Sequence, residues 1–468
     1  MTSAKRFGTF SRYCTALVAI AALFLAQTST AFAGGLIRDS EIEALIADYA
    51  APIFHTAGLS KHNIHIHIIN DQSFNAFVID GQNMFIHTGA IMKSETPNQL
   101  IGVIAHETGH IAGGHLARLH IQMSKMQSAA LIMNLLGIGA MIGGAAIGSD
   151  ETSKGGAAVL YGGSSVLQRS VLSYRRVQEY SADQAGISFL DRTHQSGKGM
   201  LETFQSLADQ NLGSMNYIDP YLQTHPMPQD RVAQLRALAE GSQYFNVKDS
   251  PELQFRHDMI KAKLYAFINK ANPRAVFRKY PKKDQSLPAQ YARAIALYFS
   301  AGIRAARGDI DRLIAAQPDN PYFHELKGQF LLESGKVRAA LGPLRKAVRL
   351  APKAGLIRVM LGQALVASED NSLLPEAITH LRKALTKEKQ SVVGYRQLAI
   401  AYGRTNRRPQ AELASAQGFF YEGNANFAKI HAERAIRAFR VGSPNWNVAN
   451  DLIKDVAIYK KLKANKGR

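Results

Sequence analysis

Residues 97–116 read PNQLIGVIAHETGHIAGGHL, and this stretch decides how the first half of the chain folds. Thr96 and Pro97 open it as a cap and a first-turn proline, and apolar residues then recur at helical spacing, so a helix over 97–119 is predicted. On that helix His106 and His110 stand four residues apart and project from one face, able to share one divalent cation. Glu107 is placed beside that cation, where a carboxylate can take a proton from a metal-bound water and pass it to a leaving amine. The competing reading, a chance pairing of structural histidines, fits poorly with a long, capped and otherwise apolar helix. One Zn²⁺ per chain is therefore the expected cofactor.

The third ligand separates the zinc protease classes. A metzincin would need a histidine three residues after Gly113, but Leu116 stands there. His115 is one residue out of register and is read as solvent-facing or structural. The better candidate is Glu179, in Gln178-Glu179-Tyr180-Ser181-Ala182-Asp183, on a second helix predicted over about 174–190. Glu179 and Asp183 share a helical face, so Glu179 can bind zinc while Asp183 accepts a hydrogen bond from a ligand histidine. A surface ion pair of these carboxylates with Arg175 or Arg176 is the alternative.

Upstream, Ser40 to Phe54 has helical spacing with Asp39 or Ser40 as cap. Asn63 to Asn70 alternates as a strand, and Asn75–Ile79 and Met84–His87 flank the hairpin signal Asp80-Gly81. The expected fold class is thus α+β, a mostly helical catalytic domain with a small sheet beside the active-site helix. His65 and His67 share one strand face, which a solvated surface explains as well as a second metal site does. Downstream, 127–149 carries no charge and, like 155–168, is rich in Gly and apolar residues. The whole of 127–168 is read as an apolar lid over the site or as a membrane-associated segment. Met123, Met126 and Met133 are read as apolar filling rather than a substrate groove.

From about residue 288 a period of 34 appears, with Ala294, Gly328 and Gly362 in one register, Ala306 and Ala340 in another, and Pro318 and Pro352 closing the units. Gly328, Leu331, Gly335, Ala340, Leu344, Ala347 and Pro352 match the tetratricopeptide pattern. A third unit resumes with Ala377, Leu381 and Ala384, and a weaker fourth has Leu398, Tyr402 and Ala411. Stacked helical hairpins, an all-α solenoid, are expected there.

The N-terminus sets the compartment. Lys5, Arg6 and Arg12 precede the uncharged apolar run 15–26 and the small-residue site Ala31-Phe32-Ala33, which reads as a cleaved secretory signal; an uncleaved anchor is the alternative. The single cysteine, Cys14, lies inside that segment, so thiolate ligands, disulfides and cysteine catalysis are excluded from a mature chain. Charge divides along the chain: residues 34–250 carry 14 Lys and Arg against 19 Asp and Glu, whereas 251–468 carry 39 against 17. Two units with different partners follow from that change of sign. The basic half would attract acidic partners or a membrane surface of anionic headgroups, and export argues against nucleic acid. The organisation expected is a signal peptide (1–33), a metalloprotease domain (34–245), a helical linker (246–287), tetratricopeptide repeats (288–440) and a basic tail (441–468).

The run HETGH, then EYSAD, then Thr224-His225-Pro226 with Arg231, resembles the gluzincin family of the prenyl-protein protease and HtpX type, and Asn75-Ala76-Phe77 resembles that family's active-site edge strand. The resemblance implies zinc on His106, His110 and Glu179, acid/base work by Glu107 and support from Asp183. It implies that His225 stabilises the oxyanion or takes the fourth zinc position, and that Arg231 clamps the oxyanion or a nearby carboxylate or only pins its loop. Asn75, Ala76 and Phe77 would pair with an extended substrate. Together with export and repeats it implies an endopeptidase for unfolded or misassembled envelope proteins in the periplasm. The repeats would recruit clients, outer-membrane assembly components among them. An assembly chaperone or adaptor with a largely latent site, and an integral membrane protease, are the alternatives.

Overall fold

The structure, a computed structural model, describes residues 35–60, 64–124, 173–213 and 220–466. The expectations for 1–33 and for 127–168 fall outside the described residues. Among the described residues no helix is long and apolar enough to cross a membrane.

The chain enters through a short strand β1 (Leu36–Ile37) and helix α1 (Ser40–Thr56), whose cap Asp39 accepts from the backbone N–H groups of Glu41 and Ile42. Strands β2 (His65–Ile69), β3 (Ala76–Ile79) and β4 (Asn83–His87) complete a sheet of order β1-β2-β4-β3. β3 and β4 are the expected hairpin: Asp80 and Gly81 both have positive φ, and the Asp80 carboxylate accepts from the backbone of Gln82 and the side chain of Asn83. Since β2 runs parallel to β4 in the centre, β1 and β3 are left as the two edges.

Helix α2 (Thr88–Lys93) leads to α3 (Pro97–Ala112), capped by Thr96, with Leu100, Ile101, Val103, Ile104 and Ala105 all buried. The predicted helix 97–119 does not run through. It stops at Gly113-Gly114, where Gly114 takes φ +61°, and resumes as α4 over 115–124. Helix α5 spans 173–192 as expected, followed by α6 (Lys198–Gly213), the short α7 (Pro220–Thr224) and α8 (Gln229–Glu240). Gly109 is where α5 crosses α3: a Cβ there would stand 2.7 Å from the Ala182 carbonyl oxygen.

The stretch 246–287 is not a loose tether. It forms α9 (Pro251–Ile268) and α10 (Pro273–Lys279), and α9 belongs to two cores at once. Ile260 and Leu264 pack into the catalytic core with α1 and α3, whereas Met259, Ala262 and Ala266 pack into the core of the repeats. The repeats follow as helical hairpins. The first is α11 (Leu287–Ala316), broken at Gly302, where φ is +76°. Next come α12 (Pro321–Glu333) with α13 (Val337–Leu350), α14 (Gly355–Ala367) with α15 (Leu374–Leu385), and α16 (Val392–Arg404) with α17 (Arg408–Tyr421). The 34-residue register has a packing cause: a Cβ on Gly328 or Gly362 would meet Leu344 or Leu381 of the paired helix at 2.5 and 2.4 Å. The weak fourth unit is a full hairpin, and the solenoid goes beyond 440. α18 (Ala425–Ala438) packs on α19 (Pro444–Lys466), so the stretch expected as a solvated basic tail is helical and buries Ala449, Leu452 and Val456. The α+β class, a small sheet with a mostly helical domain and an all-α repeat solenoid after it, is as the sequence predicts.

Candidate metal centre

α3 and α5 bring their polar faces together where Gly109 lets them approach. His106, His110 and Glu179 meet there with His225, each offering one atom, and all four atoms lie within 4.8 Å of one another. The two histidine Nε2 atoms are 3.1 Å apart, and Glu179 lies 3.4 Å from His106 Nε2 and 3.5 Å from His110 Nε2. His225 turns Nδ1 inward, 3.0 Å from Glu179 Oε2 and 3.5 Å from His106 Nε2. Donors around a tetrahedral zinc ion are separated by about 3.3 Å, so these two nitrogen-rich helical ligands, one carboxylate and one further imidazole fit such an ion.

A scaffold behind these four side chains holds them. His106 Nδ1 lies 2.9 Å from Asp183 Oδ1, the carboxylate one helical turn beyond Glu179. Arg231, in the first turn of α8, donates through Nε and Nη2 to both oxygens of Asp183 at 2.6 and 2.8 Å, and its Nη1 lies 2.8 Å from Glu179. That guanidinium is only 1% exposed and also donates to the Pro226 carbonyl at 2.9 Å, pinning the loop that carries His225. Of the roles expected for Arg231, the carboxylate clamp and the loop pin are therefore the ones met. It lies behind the four converging side chains and is not among the residues lining the cleft. His225 is fixed further by its own N–H bond to the Tyr221 carbonyl and by stacking on the Tyr221 ring, centroids 4.6 Å apart.

The electrostatics follow from burying so many charges together. Burial opposes a charged His106, yet Asp183 and Glu179 beside it raise its pKa to about 9. Burial likewise works against ionised Glu179 and Asp183. His225 and His106 overcome it for Glu179, and Arg231 for Asp183, so both carboxyls are lowered. Burial pushes Glu107 up, with His225 and His106 pulling the other way. Its Oε1 is buried without a hydrogen-bond partner, 3.6 Å from His225 Nε2. The cluster thus has a cation-demanding centre and one acceptor left over beside it.

Of the two roles expected for His115, the fold supports the structural one. The break at Gly113-Gly114 folds it back, and it is 4% exposed with Nδ1 3.0 Å from Nδ1 of His110. It is structural rather than solvent-facing, and it engages the ring nitrogen of His110 turned away from the centre. Phe204 meets His106 edge-on at 5.1 Å and, with Tyr221, was not singled out; neither lies in a motif.

A cleft of about 680 Å³ opens over the centre, lined by Glu107, His110, Glu179 and His225 and, on its other side, by Phe77 to Gly81. The edge strand expected at the site is therefore there, but shifted: Phe77 lines the cleft, whereas Asn75 and Ala76 are buried behind it. His65 is exposed and His67 stacks on Phe85 and bonds Asn83, so the solvated-face reading of that pair suffices.

The chain is similar to several known proteins. Residues 18–239 match Peptidase family M48. The beta-barrel assembly-enhancing protease of Escherichia coli K12 is 26% identical over 413 residues, which cover 87% of this chain and 81% of that protein. The protein of the same name from Yersinia pestis is 26% identical over 393 residues, covering 83% and 78%. The solved structure of MamA overlaps 37% of this chain and 96% of its own at 16% identity, with a TM-score of 0.27. A buried His, His, Glu and His cluster beneath an edge strand, within a segment matching Peptidase family M48, makes this chain a metalloprotease.

Proposed function

We propose that this is an exported zinc endopeptidase acting on unfolded or misassembled envelope proteins, with His106, His110 and Glu179 as its ligands and His225 as a fourth that keeps it latent. The observation that carries the reading is the inward Nδ1 of His225, 3.0 Å from Glu179, in a position that an attacking water would otherwise need. A bound zinc ion supplies Lewis acidity for the scissile carbonyl and for water. Glu107, buried with Oε1 unpartnered, takes the water's proton and returns it to the leaving amine. β3, an edge of the sheet beside the cleft, pairs with an extended backbone segment, which favours unfolded chains over folded ones. Asp183 and Arg231 orient the ligands, and His115 fixes the tautomer of His110.

The relatives' name, a beta-barrel assembly-enhancing protease, supports clients tied to β-barrel assembly, the repeats are the surface proposed to recruit them, and the signal-like N-terminus supports export to the periplasm. A chaperone or adaptor role is the second reading, favoured by the same closure of the site by His225. Zinc content and casein cleavage should be measured on the wild type and on the Glu179→Ala and His225→Ala variants. One zinc per chain lost with Glu179, and faster cleavage without His225, is the expected result. Metal retained and cleavage unchanged without Glu179 would overturn the ligand assignment. Client turnover that persists in Glu107→Gln would favour the adaptor reading.

A further inference from the structure

A second cavity, of about 710 Å³, lies at the seam between the catalytic domain and the inner face of the repeats. One wall is the opposite edge of the sheet, Ile37 and Arg38 next to β1, together with Asn70. The other is built from equivalent positions of successive first helices: Glu325 and Gln329 of α12, then Val359 and Gln363 of α14, 34 residues on. Gln390 and Val393 extend the row toward α16. Apolar positions alternate with side-chain amides, which suits a polypeptide whose backbone must be hydrogen-bonded while its side chains are buried.

Charge makes the site more specific. Lys263 of α9 is buried and already shared, 2.7 Å from Asp39 and 3.2 Å from Glu41, and Tyr291 donates to Glu41 at 3.0 Å. Arg38 is taken by Glu43 and Glu388. Glu325 is the carboxylate left over. It is 7% exposed, lines the cavity, and its Oε2 has no hydrogen-bond partner. Asp39, Glu41 and Glu325 thus stand against one buried ammonium, and an unpaired buried carboxylate is costly unless a donor arrives.

We propose that this seam cavity is a docking site for an extended polypeptide segment and that Glu325 receives one of its Lys or Arg side chains. The proposal rests on the reading of the chain as an enzyme with polypeptide clients, and places a recruitment contact away from the catalytic cleft. Burial, with Asp39, Glu41 and Glu43 adding to it against Lys263, pushes Glu325 up to about 8, so arrival of the cation releases a proton and binding tightens as pH rises toward that value. Tyr291 and Tyr322 are buried beside the same cluster, and Lys270 and the Arg38 held by Glu43 and Glu388 are the further charged groups of the cavity wall.

The test uses the mature chain carrying Glu107→Gln, which prevents cleavage of the probe. Two fluorescein-labelled unstructured peptides are compared, alike except for one central arginine or its neutral isostere citrulline. Anisotropy at pH 7.5 should show the arginine peptide binding about tenfold more tightly. Adding the isosteric Glu325→Gln should erase that preference while Tm is kept or raised. Equal binding of the two peptides to the Glu325 protein, or a preference that survives Glu325→Gln, would overturn the proposal. Cleavage of a short reporter peptide by the protein with Glu107 intact is followed alongside. Metal-dependent cleavage without arginine preference removes the docking site alone; loss of cleavage with the preference intact removes only the enzymatic reading.

Discussion

Replacing Glu107 by Gln should leave metal binding intact and lower peptide cleavage by about 10²–10⁴-fold, the usual worth of a general base, measured as turnover per bound metal. His115→Ala and Asp183→Ala act one step further out. Each removes the partner of the outward ring nitrogen of a ligand histidine, so each should weaken metal affinity by about 10–100-fold in chelator competition. Spacing pairs His106 with His110 and Glu179 with Asp183, because i to i+4 positions on a helix face the same way whatever surrounds them, and the motifs place Glu107 beside the first pair. Which of its two expected roles His115 takes depends on a helix end, at two glycines that the spacing takes as part of the helix. Arg231 was found, but its direction follows from how α8 packs on α5, where Tyr180 donates to Asp230 at 2.9 Å, and no local pattern carries that.

The crossing of α3 and α5 has no slack. Gly109→Ala should cost about 1–3 kcal/mol in denaturant unfolding, the range for overpacking, and should also loosen metal binding, since the two helices carry three of the four converging side chains. The hairpin β3–β4 was legible from Asp80-Gly81, and its use was legible less well. Which residues of an edge strand face a cleft depends on the pleat and on the neighbouring strand, and here Phe77 to Gly81 line it, with Asn75 and Ala76 buried behind. The repeats were legible as far as small residues held their 34-residue register. α18 and α19 lie past it: Ala435 packs with Ala449 and Leu413, and Ala432 with Leu452 and Ala416, with no repeat signature, and the lysines toward the end of α19 mask its buried face.

Across the molecule, the charged seam should set the pH dependence of stability. The Glu325 carboxyl is raised from 4.5 to about 8 by burial and its acidic neighbours, so the folded chain holds a proton that the unfolded chain releases above its lower value. Its contribution is fully present below about 4.5 and is lost as pH rises through about 8. Glu325→Gln should therefore flatten the fall in Tm between about pH 5 and pH 8. Lys263→Met should do the reverse of stabilising: Asp39 and Glu41 lose their buried counter-ion, at a cost of about 3–5 kcal/mol in equilibrium unfolding. The division of charge between the two halves was plain in the sequence. Their seam was not, because contacts such as Arg38 with Glu388 join residues that only the folded solenoid brings together.

The double membership of α9 bears on any attempt to dissect the chain. A cut near residue 245, where composition and charge suggest a boundary, strips Ile260 and Leu264 from beneath α1 and α3, while a cut after Ile268 leaves the first repeat hairpin with an uncovered apolar flank. Neither half has a seam along which it parts cleanly. Fragments meant to stand alone would each need their own copy of this helix, and a fragment that aggregates without it reports a missing wall rather than an unstable domain.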